Sequence, residues 1–129
     1  MRKWPVTVVL ALGLLAGVAT ASSALSGTYR VTITGKPAPL NGKWQLKFLP
    51  GDELRVVRNG RVVVVAKAIV NGSRVKVIDR SGSYACSVAE GTGVYTYKVA
   101  GTRLTFKAVA DKCVGRKLIL TTKPFVKFT

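Results

Sequence analysis

Glu53-Leu54-Arg55-Val56-Val57-Arg58-Asn59-Gly60-Arg61-Val62-Val63-Val64-Val65 is the stretch that decides the class of fold. A short Val-rich run enters Asn-Gly, the strongest two-residue hairpin signal, and a second Val-rich run leaves it and continues to Val70. A second Asn-Gly, Asn71-Gly72, joins that run to residues 73–79. Consecutive hairpins without helical spacing between them predict antiparallel sheet. Residues 62–65 are apolar on both faces, which predicts that loops, the tail or a partner cover their outer side.

Upstream, residues 28–34 alternate Tyr29, Val31 and Ile33 against Thr28, Arg30 and Thr32, the period of a half-buried strand. Lys36-Pro37-Ala38-Pro39 breaks it. Residues 42–49 repeat the alternation with Trp44, Leu46 and Phe48 inward, up to the turn Pro50-Gly51-Asp52. Downstream, 80–91 is looser and holds Cys86. Residues 92–99 place Tyr95, Tyr97 and Val99 on one face, and Ala100-Gly101 turns the chain into 102–109 with Leu104 and Phe106 inward. Residues 110–115 form a loop carrying Cys113, residues 116–122 read as the last strand, and the tail 123–129 brings Phe125 and Phe128.

About eight strands joined mostly by tight turns, with no helical period after the N-terminal segment, give an all-β protein. Closure removes exposed strand edges, so the expected architecture is an antiparallel up-and-down barrel of about eight strands, with a two-sheet β-sandwich as the alternative.

The first residues have a different character. Arg2 and Lys3 precede an apolar run from Trp4 to Val18, then Ala19-Thr20-Ala21, the small-x-small pattern of a signal-peptide cleavage site. The reading is a signal peptide over 1–21, with a second cut possible as late as 24, and a single domain over 22–129. The expected location is secreted, periplasmic or extracellular. Val18 stands where a lipoprotein would need cysteine, so no lipid attachment is expected. In an exported chain the two cysteines, Cys86 and Cys113, are expected to form a disulfide, which stabilises by roughly 3 to 4 kcal/mol on the chain-entropy account.

Chemistry is scarce. There is no histidine, no serine lies in a nucleophile elbow, and two thiols without histidine make a poor metal site. Asp79 with Glu90 or Asp111 is the one carboxylate pairing open to a glycosidase, but acids at strand ends commonly cap turns, and Asp111 is expected to satisfy the backbone of the cysteine loop or to pair with Arg116. The expectation is no enzyme, no cofactor and no metal. Charge is lopsided. Taking Arg2 and Lys3 from the 21 basic residues leaves 19 against five acids, a formal charge of about +14. Such a domain attracts anionic surfaces and polymers, while cations scattered without interleaved aromatics argue against a specific nucleic-acid reader.

Gly42-Lys43-Trp44 at a strand start resembles the Gly-x-Trp signature of lipocalins and other calycins. Leu40 to Trp44, Asn59-Gly60, Cys86, Gly91-Thr92 with Tyr95, and Asp111 to Arg116 together resemble small bacterial lipocalin-like exported proteins. The leader and the Val-, Ala- and Arg-rich composition also suggest a bacterium. In that superfamily an arginine late in the chain packs over the tryptophan and closes the barrel, a role the resemblance would give to Arg116. Here a strand precedes the tryptophan, and Arg116 opens the last strand with no helix following it. The resemblance implies a small apolar molecule or lipid bound inside the barrel, by Tyr29, Trp44, Phe48, Tyr95, Tyr97 and Phe106. The alternative for those side chains is a filled core. The alternative function is a monomeric interaction protein that uses its basic outer face on an anionic envelope surface or a protein partner. A protease-inhibitor role for the Cys86 loop ranks third.

Overall fold

The computed structural model describes residues 25–129, so the signal-peptide reading lies outside the described residues. Eight antiparallel strands form a closed barrel in sequence order: β1 (Gly27–Ile33), β2 (Gly42–Leu49), β3 (Glu53–Arg58), β4 (Arg61–Asn71), β5 (Arg74–Ser81), β6 (Gly93–Ala100), β7 (Arg103–Ala110) and β8 (Phe125–Lys127), with β8 pairing to both β7 and β1. The up-and-down barrel read from the hairpins is the observed fold. Asn59-Gly60 forms the β3–β4 turn, with both residues at positive φ and Arg58 opposite Arg61. The second Asn-Gly is offset by one. Asn71 pairs with Arg74, so Gly72-Ser73 makes the turn.

Inward residues pack one core through Tyr29, Val31 and Ile33 of β1, Trp44, Leu46 and Phe48 of β2, and Leu104 and Phe106 of β7. Phe125 stacks edge-to-face on Phe106, and Phe106 on Tyr95, with centroids 6.0 and 6.1 Å apart. In β4 the double-faced apolar stretch has a structural cause. Val56 opposes Val64 and Val57 opposes Val62, so Val63 is an inserted bulge residue, and Val63 and Val64 are both buried. Tyr84 N–H donates to Val63 O at 3.0 Å, so the β5–β6 loop lies against the bulge.

Residues 116–122 are not a strand. Val114–Thr121 is a helix, α1, and the closing strand is the short Phe125–Lys127 beyond it. Cys113, Arg116, Ile119 and Leu120 have buried side chains at helical spacing, a period that β-branched Ile119, Thr121 and Thr122 obscure in an eight-residue segment. Among the described residues no helix is long and apolar enough to cross a membrane.

The connections divide by end. At one end lie the short turns 50–52, 72–73 and 101–102. At the other lie the 34–41 connection with its 3-10 turn (Ala38–Leu40), the 82–92 loop with its 3-10 turn (Val88–Glu90), and α1. The Cys86–Cys113 disulfide, with a Cα–Cα distance of 6.0 Å, ties the 82–92 loop to the residue that precedes α1. This end is capped.

Candidate functional site

Beneath the cap is a cavity of about 140 Å3. Trp44, Leu46, Leu54, Val64 and Val77 form its barrel wall, and Leu40, Tyr84, Cys86, Ile119 and Leu120 close it from the cap. The lining is mostly apolar because each strand presents its inward register there. The exceptions are Asp79, Glu90 and Arg116.

Asp79 continues the inward register Val75, Val77, so period two carries an acid into the apolar face. Its Oδ2 accepts from Cys86 N–H at 2.7 Å, and its Oδ1 lies 3.4 Å from Arg116 Nη1. Arg116, from the first turn of α1, donates through Nε and Nη2 to the two oxygens of Asp111, each at 2.7 Å, and through Nη2 to Gly91 O at 3.0 Å. Asp111 also accepts from the Tyr95 hydroxyl and, at 2.9 Å, from Cys113 N–H. The Arg116 and Asp111 side chains are 6% and 0% exposed. This bidentate pair joins α1 to the end of β7 where Coulomb attraction is weakly screened.

The environment sets protonation in a consistent sense. Burial pushes the Asp111 carboxyl up, but donors from Arg116, Tyr95 and Cys113 outweigh it and hold the group below the usual carboxylate range. Burial pulls Arg116 down, and its bond to Asp111 and the nearby charges more than restore it. Burial, then the bond to Asp111, pushes Tyr95 well above an ordinary phenol. One donor is left over. Arg116 Nη1 is buried with only the 3.4 Å ion-pair contact to Asp79 and no acceptor in hydrogen-bond geometry.

Of the six aromatics named from sequence, Trp44 lines this cavity. Tyr29 packs edge-on against Phe48, which borders a recess at the short-turn end. Tyr95 and Phe106 are buried in the aromatic ladder, and Tyr97 is half-buried with its hydroxyl donating to Gly72 O at 3.0 Å. Arg116 does not cover Trp44. That place belongs to Arg58, whose Cζ lies 5.9 Å from the indole centroid and 5.7 Å from the Tyr84 ring. The physical reason is that the helix turns Arg116 toward Asp111, while β3 ends with Arg58 beside Trp44 in register.

No protein-family model, curated protein or solved structure matches this chain. The closed eight-stranded barrel is compatible with the lipocalin-like resemblance, and the Gly-x-Trp segment has a physical role in it. Gly42 has φ +136°, and a Cβ there would meet Asn59 Oδ1 at 2.9 Å. Because glycine leaves room, Asn59 Oδ1 accepts from Lys43 N–H at 2.9 Å. Trp44 Nε1–H donates to Leu40 O at 2.9 Å. The Leu-Asn-Gly-x-Trp and Asn-Gly motifs are thus one contact unit. Sequence reasoning pairs Asp111 with the backbone of the cysteine loop or with Arg116, and Asp111 holds both; it does not bring Asp79 or Tyr95 to them, although an acid in the inward register of a strand is a readable sign of a buried partner. Among the described residues the one cluster of potential metal donors is Cys86, Glu90 and Cys113, and both its sulfurs are in the disulfide.

Proposed function

We propose that this is an exported, non-enzymatic, lipocalin-like protein of the calycin kind that binds a small neutral molecule in the capped cavity. The carrying observation is an apolar cavity of about 140 Å3 lined by Arg116, whose Nη1 is buried without an acceptor in hydrogen-bond geometry. A dry apolar cavity of about 150 Å3 takes a ligand of benzene size, which narrows the lipid expectation to something no larger than one ring or a short acyl end. A buried donor held only by a 3.4 Å ion-pair contact disfavours a purely apolar occupant, because a ligand oxygen there recovers part of a desolvation penalty of about 1–3 kcal/mol. Two carboxyl groups already face one guanidinium, so an anionic ligand would be repelled. A single-ring phenol or ketone fits both demands.

Thermal unfolding with phenol, benzene and benzoate tests this reading, with the Trp44 indole N–H followed by NMR. Phenol is expected to raise Tm and shift the Trp44 signal, benzene to do so less, and benzoate not at all. Val77→Phe, which fills the cavity, should abolish the phenol effect while leaving the barrel folded. Absence of any phenol effect on either readout would sink the reading.

A further inference from the structure

The barrel's closing strand is only three residues long, so the outer wall is notched where β8 runs out. Beyond Arg30, β1 has no partner on that side: Tyr29 and Arg30 pair with Lys127 and Val126, whereas Val31, Thr32 and Ile33 pair with β2 alone. The notch is a surface groove of about 600 Å3. Arg30 of β1, Lys43 of β2, Arg103 of β7 and Lys123, from the α1–β8 connection, all line it, and no carboxylate does.

Their placement follows from register. Arg103 and Arg30 both stand opposite Val126, one on each side of β8, and Thr32, one step of the same face beyond Arg30, stands opposite Lys43. Lys123 Nζ donates to Thr32 O at 3.2 Å, so its ammonium sits over the unpaired end of β1. With strands about 4.8 Å apart, four cations on β7, β1, β2 and the α1–β8 connection extend over roughly 14 Å. None of the five acids neutralises them: Asp79 and Asp111 are engaged with Arg116, Glu53 with Arg55 and Glu90 with Ser87, and Asp52 lies in the 50–52 turn, outside the groove lining.

We infer that this groove binds an extended polymer of phosphate groups, with Arg30 and Arg103 gripping successive phosphates through their planar forks and Lys43 and Lys123 adding point charges. Thr32 and Gln45 supply hydrogen-bonding side chains between them. A single small anion would use one or two of the four cations. Nucleic acid is disfavoured because the one aromatic residue lining the groove, Trp44, turns its ring into the core, and the exposed ring beside it, Phe128, already lies against the Arg30 guanidinium at 4.5 Å. A lipid surface is disfavoured because the cations line a trough whose exposed apolar side chains are small, Pro124 and Val126. The groove and the capped cavity are separate sites, so either can fail without the other.

The test measures affinity for linear inorganic polyphosphate by fluorescence anisotropy across a salt series. One variant carries Arg30→Gln, Lys43→Gln, Arg103→Gln and Lys123→Gln. The control carries Arg61→Gln, Arg74→Gln, Lys76→Gln and Lys98→Gln, on β4, β5 and β6, none of which lines the groove. The groove variant is expected to lose at least tenfold in affinity and to lower the log–log salt slope by about 3, at about 0.7 per neutralised contact on a single-stranded polyanion. The control, of equal net charge, should lose no more than about threefold. Equal losses in the two variants would overturn the groove. So would tighter binding to a single-stranded oligonucleotide, or to vesicles rich in anionic phospholipid, that the groove substitutions weaken equally. Lys43→Gln alone, an exposed side chain, keeps the test valid should the quadruple variant not fold: it should lower the salt slope by about 0.7, and an unchanged slope and affinity would overturn the groove.

Discussion

The Arg58 guanidinium lies over the Trp44 indole and at the same time donates to Asn41 O through Nε at 2.9 Å and Nη2 at 2.7 Å, and to Ala38 O at 3.2 Å. One side chain thereby closes the 34–41 connection onto the barrel and covers the tryptophan. A lysine can supply the charge but not the fork. Arg58→Lys is expected to destabilise the protein by about 1 kcal/mol and Arg58→Ala by about 2 kcal/mol, read as lower urea midpoints at unchanged m. Arg116→Lys, in contrast, should leave Trp44 fluorescence as it is while loosening α1. If Arg58→Ala is as stable as the parent, the closure does not depend on this contact.

Two glycines on the cap have opposite steric surroundings. A Cβ on Gly93 would come within 2.6 Å of Asp111 Oδ2 and 2.9 Å of Arg116 Nε, whereas one on Gly115 meets only Leu40 Cδ2 at 3.9 Å. Gly93→Ala must push the buried ion pair apart and is expected to cost about 2–3 kcal/mol. Gly115→Ala adds a helix former inside α1 and should raise stability by up to about 1 kcal/mol. Calorimetry of the two variants decides it, and a neutral Gly93→Ala would mean that the ion pair tolerates displacement.

Strand order was legible because hairpin turns and period two are local: residues 28–34, 42–49, 53–58 and 61–70 fall within a residue of β1 to β4, β4 running on to Asn71. The helix escaped because eight residues show barely two turns of period, and Ile119, Thr121 and Thr122 carry strand propensity. Trp44 was named as a wall residue from its register. The partners of Arg116 come from β5, the residue after β7 and the 82–92 loop, a convergence that only barrel closure creates. Alternation from Val75 and Val77 carries Asp79 inward, but its place near the strand end gave it the reading of a turn cap, so its buried partner was not recovered.

Protonation of the cap network sets both limbs of a stability profile. Asp111 is held below its ordinary value of 3.8, so it stabilises the folded state at neutral pH, and that contribution disappears as pH falls below about 4 and through the depressed folded value. Tyr95 is raised above its ordinary value of 10.0, so stability is present below pH 10 and falls as pH climbs above it, where the unfolded phenol ionises and the folded one does not. Asp111→Asn should flatten the acid limb of urea-midpoint against pH. A 295 nm difference titration of parent against Tyr95→Phe should show no tyrosinate step from Tyr95 up to about pH 12. A step near pH 10 would show that the hydroxyl is not sequestered.

The disulfide and the ion pair anchor α1 at different points, Cys113 just before it and Arg116 within its first turn, so their losses should not be equal. Cys86–Cys113 closes a sequence separation of 27 residues, and replacing both cysteines by alanine should cost roughly 3 to 4 kcal/mol by releasing the unfolded chain. Because Asp79 still holds Cys86 N–H, and Asp111 holds both Arg116 and Cys113 N–H, the cap should stay closed in that variant and bind phenol as the parent does. Arg116→Met, which leaves two carboxyls buried without their cation, should open the cap instead, with faster amide exchange in α1 and loss of phenol binding. Slow exchange in α1 of Arg116→Met, with fast exchange in the cysteine variant, would reverse the assignment and make the covalent link the part that holds the cap shut.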